Sequence, residues 1–288
     1  MSLSNVNKYY EPPREELKLI YPVNGLKEDF IYSSKIYNFV SFAQDKQQYS
    51  FHYAFLEILN NAIEHSGGDE IIVYVGRADN RIEFSIHDNG VGIFSKIAKA
   101  LNFESEDYSV LELAKGKFST NPRQHSGQGI FFSSKLGDIF IIHSGNIAFI
   151  ANNFLRGTDE EYVFRNVDTP IPGTFVSFCI WFTHEESAAQ VFNRYAPADD
   201  GFVKTAIPVK LIEKNEKIAI LSRSQARRLL LRLDNFKSVE LDFMDVESIG
   251  QAFADEVFRV FHNEHPDVEI TVVNCNEAVS KMIKYASH

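Results

Sequence analysis

The sequence predicts an α/β protein of the α+β type, with an N-terminal α/β sandwich followed by a small C-terminal β-α-β-α domain. Two observations support this. Helical patterns come first and are followed by a run of alternating strands, and after a polar stretch the strands alternate with helices. The chain has 288 residues, which suits one or two domains at roughly 100–200 residues each.

The N-terminal domain is expected to span residues 16–182. Apolar residues at helical spacing predict its helices, and period-two alternation predicts its strands. In chain order we expect a strand at 16–23, helices at 29–43 and 50–65, strands at 70–75 and 81–87, a helix at 128–136, and strands at 139–142, 147–152, 161–166 and 174–182. Residues 94–126 are mixed and polar, with only weak helical patterns.

A polar and irregular stretch, residues 183–205, is expected to link this domain to a second one at residues 206–288. Ser248 is a good candidate for the N-cap of the second domain's middle helix, because its hydroxyl can accept a bond from a free backbone amide. After an apolar segment at 202–212 we expect a helix at 224–234, a strand at 238–243, a helix at 249–263, a strand at 269–273 and a helix at 277–285.

Composition excludes several classes of protein. Two cysteines, Cys179 and Cys275, are too few for a disulfide scaffold or a cysteine-based zinc site, and they favour a reducing compartment. The N-terminus has no signal-peptide pattern, and no stretch approaches the roughly 20 apolar residues of a membrane span. A formal net charge of −10 argues against non-specific nucleic-acid binding. We therefore expect a cytoplasmic protein with no membrane contact and no direct nucleic-acid partner.

The first chemical motif lies on the predicted helix at 50–65. Glu57, Asn61 and His65 are spaced four residues apart and therefore share one helical face. The amide oxygen of Asn61 can bind Mg²⁺, a hard cation that prefers oxygen ligands, and the Glu57 carboxylate can orient or deprotonate a water or hydroxyl group. A solvated polar face would show the same spacing.

The second motif, Asp88-Asn-Gly90-Val-Gly92, follows a predicted strand. The Asp88 carboxylate can accept a hydrogen bond from an exocyclic amine, and the two glycines allow the backbone to approach a flat ring or a phosphate. A plain Asn-Gly turn between two elements is the alternative.

Two further motifs follow. In the glycine-rich motif at residues 126–130, the glycines precede a predicted helix N-terminus, whose backbone amides can bind phosphate. A flexible loop would have the same composition. The motif is neither a P-loop nor a Rossmann fingerprint. Thr174 follows a Pro-Gly turn, and its hydroxyl is expected to support a carboxylate, unless it is an ordinary strand residue. The glycine-rich motif consists of Ser126, Gly127, Gln128, Gly129 and Ile130.

In this order the motifs resemble the ATP-binding domain shared by gyrase, the heat-shock chaperone ATPase, histidine kinases and DNA mismatch-repair ATPases, over residues 16–182. The resemblance implies that Asn61 coordinates Mg²⁺ and that Asp88 binds the adenine amino group. It also implies that Thr174 lies near Asp88 and that residues 94–126 form the ATP lid.

The same resemblance assigns the glycines. Gly90 and Gly92 would shape the adenine and ribose side of the site, and Gly127 and Gly129 would border the phosphates. His65, Ser126, Gln128 and Ile130 complete the expected ATP-binding set.

Within that superfamily, Glu57 four residues before Asn61 looks most like the bacterial anti-sigma-factor serine kinases, which implies that Glu57 is a general base. Residues 206–288 resemble a STAS-like domain of unknown function. STAS antagonists carry a phosphorylatable Asp-Ser-Ser-Gly at a strand-to-helix turn. This chain reads Ile-Gly-Gln-Ala at 249–252, so the acceptor serine is absent.

These resemblances predict a Mg²⁺- and ATP-binding signalling protein, either an anti-sigma-type serine/threonine kinase or a slow ATPase. It would act as a nucleotide-dependent switch on a protein partner such as a sigma factor or an antagonist-like protein. A non-catalytic, ATP-gated interaction module is the alternative, and a dimeric ATP clamp is a third interpretation. Whether the chain forms a homodimer stays open.

Four arginines lie on or beside the predicted helix at 224–234. Arg228 and Arg232 share one face, and Arg223 and Arg227 share another. They predict either a solvated basic rim or a docking surface for an acidic partner, which includes the acidic first domain.

Overall fold

A seven-stranded sheet organises the N-terminal part of the chain, and all neighbouring strands in it are antiparallel. The computed structural model describes residues 12–118, 127–153, 160–165 (backbone only), 167–197, 201–212 and 219–286. The strands are β1 (Glu15–Pro22), β2 (Glu70–Arg77), β3 (Arg81–Asp88), β4 (Ile139–Gly145), β5 (Ile147–Asn152), β6 (Glu160–Arg165) and β7 (Ile171–Trp181), in the spatial order β1-β2-β3-β7-β4-β5-β6.

Within the described ranges, six helical elements accompany this sheet. They are α1 (Glu28–Ile31, continued by a π-helical turn at Tyr32–Ile36 and by Tyr37–Val40), α2 (Asp45–His65), α3 (Ile93–Ala100), α4 (Asp107–Lys115), α5 (Gly129–Leu136) and α6 (Ala188–Tyr195).

Helix α2 is the central packing element because one of its faces is almost wholly apolar. The Phe51 ring meets Phe84 of β3 and Phe178 of β7 edge-on, with ring centroids 5.2 and 6.3 Å apart. Phe55 meets Phe84 in the same way at 5.4 Å. These contacts set the rotation of α2 about its axis and leave its polar residues off the packed face.

The C-terminal part contains a three-stranded parallel sheet and a separate parallel pair. The sheet has the order β12 (Glu269–Val273), β10 (Ser238–Asp242), β8 (Lys204–Pro208), and the pair consists of β11 (Ser248–Ile249) and β9 (Ala219–Ile220). Leu211 and Ile212 follow β8 in a short 3-10 turn and are buried. The elements are β8 (Lys204–Pro208), β9 (Ala219–Ile220), α7 (Arg223–Leu230), β10 (Ser238–Asp242), β11 (Ser248–Ile249), α8 (Gln251–Asp255, continued by Glu256–Val260 and Phe261–Glu264), β12 (Glu269–Val273) and α9 (Glu277–Ala286).

The predicted fold class is confirmed, but three local predictions are wrong. Residues 183–205 are not irregular throughout, because they contain α6, which begins with a capping box between Ser187 and Gln190. The buried side chains of Val191 and Tyr195 lie four residues apart on α6, a helical spacing visible in the sequence.

The helix predicted at 224–234 ends at Leu230, because Arg232 adopts a left-handed conformation with φ of 63°. Ser248 does not cap α8. It lies in β11, and Gly250 occupies the N-cap position, where its amide donates to the Ile220 carbonyl at 2.8 Å.

Among the helices in the described ranges, none combines the length and apolar character needed to cross a membrane.

Replacing Phe84 by Ala tests the packing of α2. Phe84 is buried and stacks on Phe178 with centroids 5.3 Å apart, so its removal leaves a cavity beneath the helix. We expect the free energy of unfolding to fall by about 3–5 kcal/mol, measured by denaturant unfolding.

The matched control is Phe30→Ala on α1, whose side chain is 68% exposed and should cost at most about 0.5 kcal/mol. An equal loss in both variants would show that the aromatic contacts do not hold α2 in place.

Candidate functional site

A cavity of about 330 Å³ opens between α2, the adjoining ends of β3 and β7, and the start of α5. Its volume is in the range of small-molecule sites. Most of the residues singled out in the sequence line it: Glu57, Asn61, His65, Asp88, Gly92, Gly127, Gln128, Gly129, Ile130 and Thr174. Ser126 lies outside the described residues, and Gly90 does not line the cavity.

Asp88 is the last residue of β3 and is only 5% exposed. Its Oδ1 accepts hydrogen bonds from the amide of Gly90 at 2.9 Å and from the amide of Thr174 at 3.3 Å. Burial raises the pKa of Asp88, and these amide bonds partly offset the rise. The carboxylate is therefore held rigidly at the cavity wall, where it can accept a hydrogen bond from a ligand amine.

Thr174 faces Asp88 across the β3–β7 pairing, but it supports the carboxylate differently from our expectation. The backbone amide of Thr174 donates to Asp88, whereas the Thr174 hydroxyl accepts a bond from the Ile93 amide at 3.0 Å. The hydroxyl thus anchors the first residue of α3. The sequence correctly paired Thr174 with Asp88 and assigned the wrong atom.

Only glycine fits at position 90, because the backbone there packs against the backbone at the end of α2. A Cβ on Gly90 would lie 2.1 Å from the carbonyl oxygen of Ser66, far closer than atoms can pack. The amide of Val91 donates to the same oxygen at 2.9 Å. Gly90 therefore lets the Asp88 loop pack directly on the end of α2, while Gly92 lines the cavity and precedes α3.

Glu57 lies against the first turn of α5. A Cβ on Gly129 would lie 2.0 Å from Oε2 of Glu57, so only glycine permits this approach. The N-terminus of a helix carries partial positive charge and free amides, which favour an ionised carboxylate or a phosphate group. Burial and the neighbouring charge of Glu57 also raise the pKa of Tyr53, one turn earlier on α2.

Lys96 is a cavity residue that the sequence analysis missed. Its Nζ donates to the carbonyl oxygen of His65 at 2.8 Å, which ties α3 to the end of α2. Burial lowers the pKa of Lys96, and the charge of Asp88 raises it. Its position one turn after Gly92 was the available signal, but no motif contains it.

The apolar wall of the cavity was also missed. Leu113, Gly116 and Phe118 line it from the polar stretch that was expected only as a lid, and Phe131 lines it from α5. These residue types are common in any core. Only their tertiary position assigns them to the site.

The helix-bearing antiparallel sheet is an α/β sandwich, and its strand-end carboxylate Asp88 lines the same cavity as the Glu57, Asn61 and His65 ladder. Residues 46–180 match the family described as histidine kinase-, DNA gyrase B- and HSP90-like ATPase. Residues 225–280 match the STAS-like domain of unknown function DUF4325. No curated protein is similar enough to the chain to count as a match.

The chain therefore combines an ATPase domain of this family with a C-terminal STAS-like domain, and both predicted resemblances are confirmed. The ATPase fold implies ATP binding and supports a nucleotide-binding regulatory role. The matched residues 46–180 include every predicted site residue.

The Asp88→Asn variant tests the assignment of the carboxylate. Asparagine keeps an oxygen for the Gly90 and Thr174 amides, but its NH₂ group opposes a ligand amine. We expect ATP affinity, measured by calorimetry, to fall by one to two orders of magnitude, because a hydrogen bond to a charged group contributes about 1.5–3 kcal/mol. Asp69→Asn, at an exposed carboxylate beside the same loop, should bind ATP like wild type.

The same variant has a built-in control for folding. A raised pKa means that ionised Asp88 lowers the stability of the folded state at neutral pH. Without nucleotide, Asp88→Asn should therefore unfold at the wild-type temperature or above it, and ATP should no longer raise that temperature. Unchanged ATP affinity would contradict the assignment.

Proposed function

We propose that the chain is a Mg²⁺- and ATP-dependent regulatory enzyme, either an anti-sigma-type serine/threonine protein kinase or a slow ATPase. The observation that carries the proposal is the position of the Glu57 carboxylate. It lies against the start of α5, in the same cavity as Asn61 and Asp88. Such an arrangement places a base beside a site suited to phosphate.

The residues of the cavity fit ATP and Mg²⁺. Asp88 would accept a hydrogen bond from the adenine amino group, and the start of α5 at Gly129 would offer backbone amides to the phosphates. The amide oxygen of Asn61 is a hard ligand of the kind Mg²⁺ takes alongside water and phosphate oxygens. When bound, the ion neutralises phosphate charge in the transition state.

Glu57 would supply the general base. Its carboxylate would accept the proton of an attacking hydroxyl or water as that oxygen bonds to the γ-phosphorus and the bond to the bridging oxygen breaks. The partial positive charge at the start of a helix such as α5 favours a negatively charged group beside it. Lys96 adds a basic side chain to the cavity lining.

The partner would be another protein, such as a sigma factor or an antagonist-like protein. The C-terminal STAS-like domain supports this, because STAS domains are the fold of anti-sigma-factor antagonists. Residues 249–252 lack the acceptor serine of such antagonists, so the phosphoacceptor would lie on the partner. Cys179 and Cys275 are free thiols, which supports the proposed cytoplasmic, reducing location.

A second candidate is a non-catalytic module that uses ATP as a conformational ligand. The missing acceptor serine favours it, because the chain then contains no self-contained kinase and antagonist pair. Turnover by the wild-type protein separates the two candidates.

The Glu57→Gln variant tests catalysis. Glutamine preserves the shape of the side chain but cannot accept a proton, so phosphate release or phosphoryl transfer from labelled ATP should fall by about 10²–10⁴-fold. The dissociation constant for ATP should change by no more than about threefold, because the adenine contact at Asp88 is untouched.

Glu64→Gln is the matched control, since Glu64 is an exposed carboxylate near the end of the same helix. Full turnover in Glu57→Gln would remove Glu57 as the base. ATP binding by the wild type, with neither free phosphate nor label on an added sigma factor or antagonist-like protein, would support the ATP-gated module instead.

A further inference from the structure

The segment from Glu112 to Phe118 joins the nucleotide cavity to the C-terminal domain. Leu113, Gly116 and Phe118 line the cavity. The charged residues between them, Lys115 and Lys117, each donate to a backbone carbonyl of the second domain. One wall of the cavity is therefore also an interdomain interface.

A buried ionic cluster forms the centre of this interface. The Glu112 and Lys115 side chains pair with each other, and both are only 1% exposed. Glu112 also accepts a bond from Nη1 of Arg232 at 3.0 Å, and Lys115 donates to the carbonyls of Arg228 at 3.1 Å and Leu231 at 2.8 Å. Removing one member of a buried charge pair leaves the other uncompensated, which makes such contacts sensitive to substitution.

The backbone on both sides of the interface adopts an unusual conformation. Lys117 and Arg232 have positive φ angles of 54° and 63°, which non-glycine residues rarely adopt. Hydrogen bonds connect the two segments: the Arg232 guanidinium donates to the Lys117 carbonyl, and Lys117 Nζ donates to the Asn235 carbonyl. Strained positions of this kind persist where surrounding contacts enforce them.

Further contacts extend the interface. The guanidinium of Arg228 lies 4.4 Å from the ring centre of Tyr108, and that of Arg232 lies 5.3 Å from the ring centre of Phe118. The buried hydroxyl of Thr205 donates to the Lys115 carbonyl at 2.8 Å. Arg228 and Arg232 thus bind the acidic first domain, one of the two roles expected for the basic residues.

We propose that Arg232 of the STAS-like domain is a positioning residue of the nucleotide site, and that ATP binding and the interdomain contact are thermodynamically coupled. Arg232 holds Glu112 and Phe118, and Phe118 forms part of the cavity wall. Whatever loosens the contact weakens ATP binding, and by reciprocity ATP strengthens the contact. The proposal rests on the nucleotide binding proposed above.

The first test compares two arginine variants of the full-length protein. Arg232→Gln should raise the dissociation constant for ATP by about 5- to 50-fold, the range of ordinary site-to-site coupling. Arg223→Gln is the matched control, because Arg223 bonds only to Asp255 and Glu256 of its own domain among the described salt bridges and should leave ATP affinity within twofold of wild type.

Arg232→Lys gives a graded readout that overall destabilisation would not produce. Lysine keeps a charge for Glu112 but lacks the planar fork that also reaches the Lys117 carbonyl. Its ATP affinity should lie between those of wild type and Arg232→Gln at equal thermal stability.

The second test needs no interface variant, which covers the case in which Arg232→Gln fails to fold. Hydrogen exchange of backbone amides at residues 228–236 in wild-type protein should slow at least threefold when ATP is added. These residues belong to the C-terminal domain and do not line the cavity. The Asp88→Asn protein should show no such change at the same ATP concentration.

The outcomes separate the two proposals. Equal ATP affinity in wild type and Arg232→Gln, or unchanged exchange at 228–236 in ATP-saturated wild type, would overturn the coupling and leave the nucleotide site intact. Absence of ATP binding by wild-type protein would overturn the proposed function and the coupling with it. Weakened binding in Arg232→Gln, with Arg223→Gln unaffected, supports both.

Discussion

The packing of α2 against β3 and β7 is the constraint on which the rest of the site depends. Phe51 and Phe55 lie on one face of the helix and meet Phe84 and Phe178 on the sheet. Because a helix is rigid about its axis, burying this face turns the face with Glu57 and its neighbours toward the cavity. The same contact therefore stabilises the core and orients the polar side chains of the site.

The two carboxylates of the cavity occupy different environments. Asp88 is buried between backbone amides at a strand end, so it is rigid and its pKa is raised. Glu57 lies against the start of α5, where partial positive charge favours the ionised form. One carboxylate is suited to recognition and the other to proton transfer. This division of roles comes from their surroundings, since the two groups are chemically alike.

Motifs on regular elements were predictable because their spacing and their structure are tied together. The ladder from Glu57 to His65 follows from helical periodicity, and Asp88 ends a strand in whose sequence apolar and polar residues alternate. The fold class followed from the same patterns. Helix α6 was missed although its spacing is helical, since the stretch around it is polar. The end of α7 was missed because no local sequence pattern predicts a positive φ angle at Arg232.

The sequence by itself determined the class of fold, the two domains, and most of the polar residues around the cavity, because helical and strand periods place those residues on known faces. The tertiary structure alone decided what surrounds them. Lys96 joins α3 to the end of α2 by a hydrogen bond, and Arg232 donates a hydrogen bond to the carbonyl of Lys117, 115 residues away in the sequence. Contacts between distant segments depend on how the elements pack, and no local pattern encodes them.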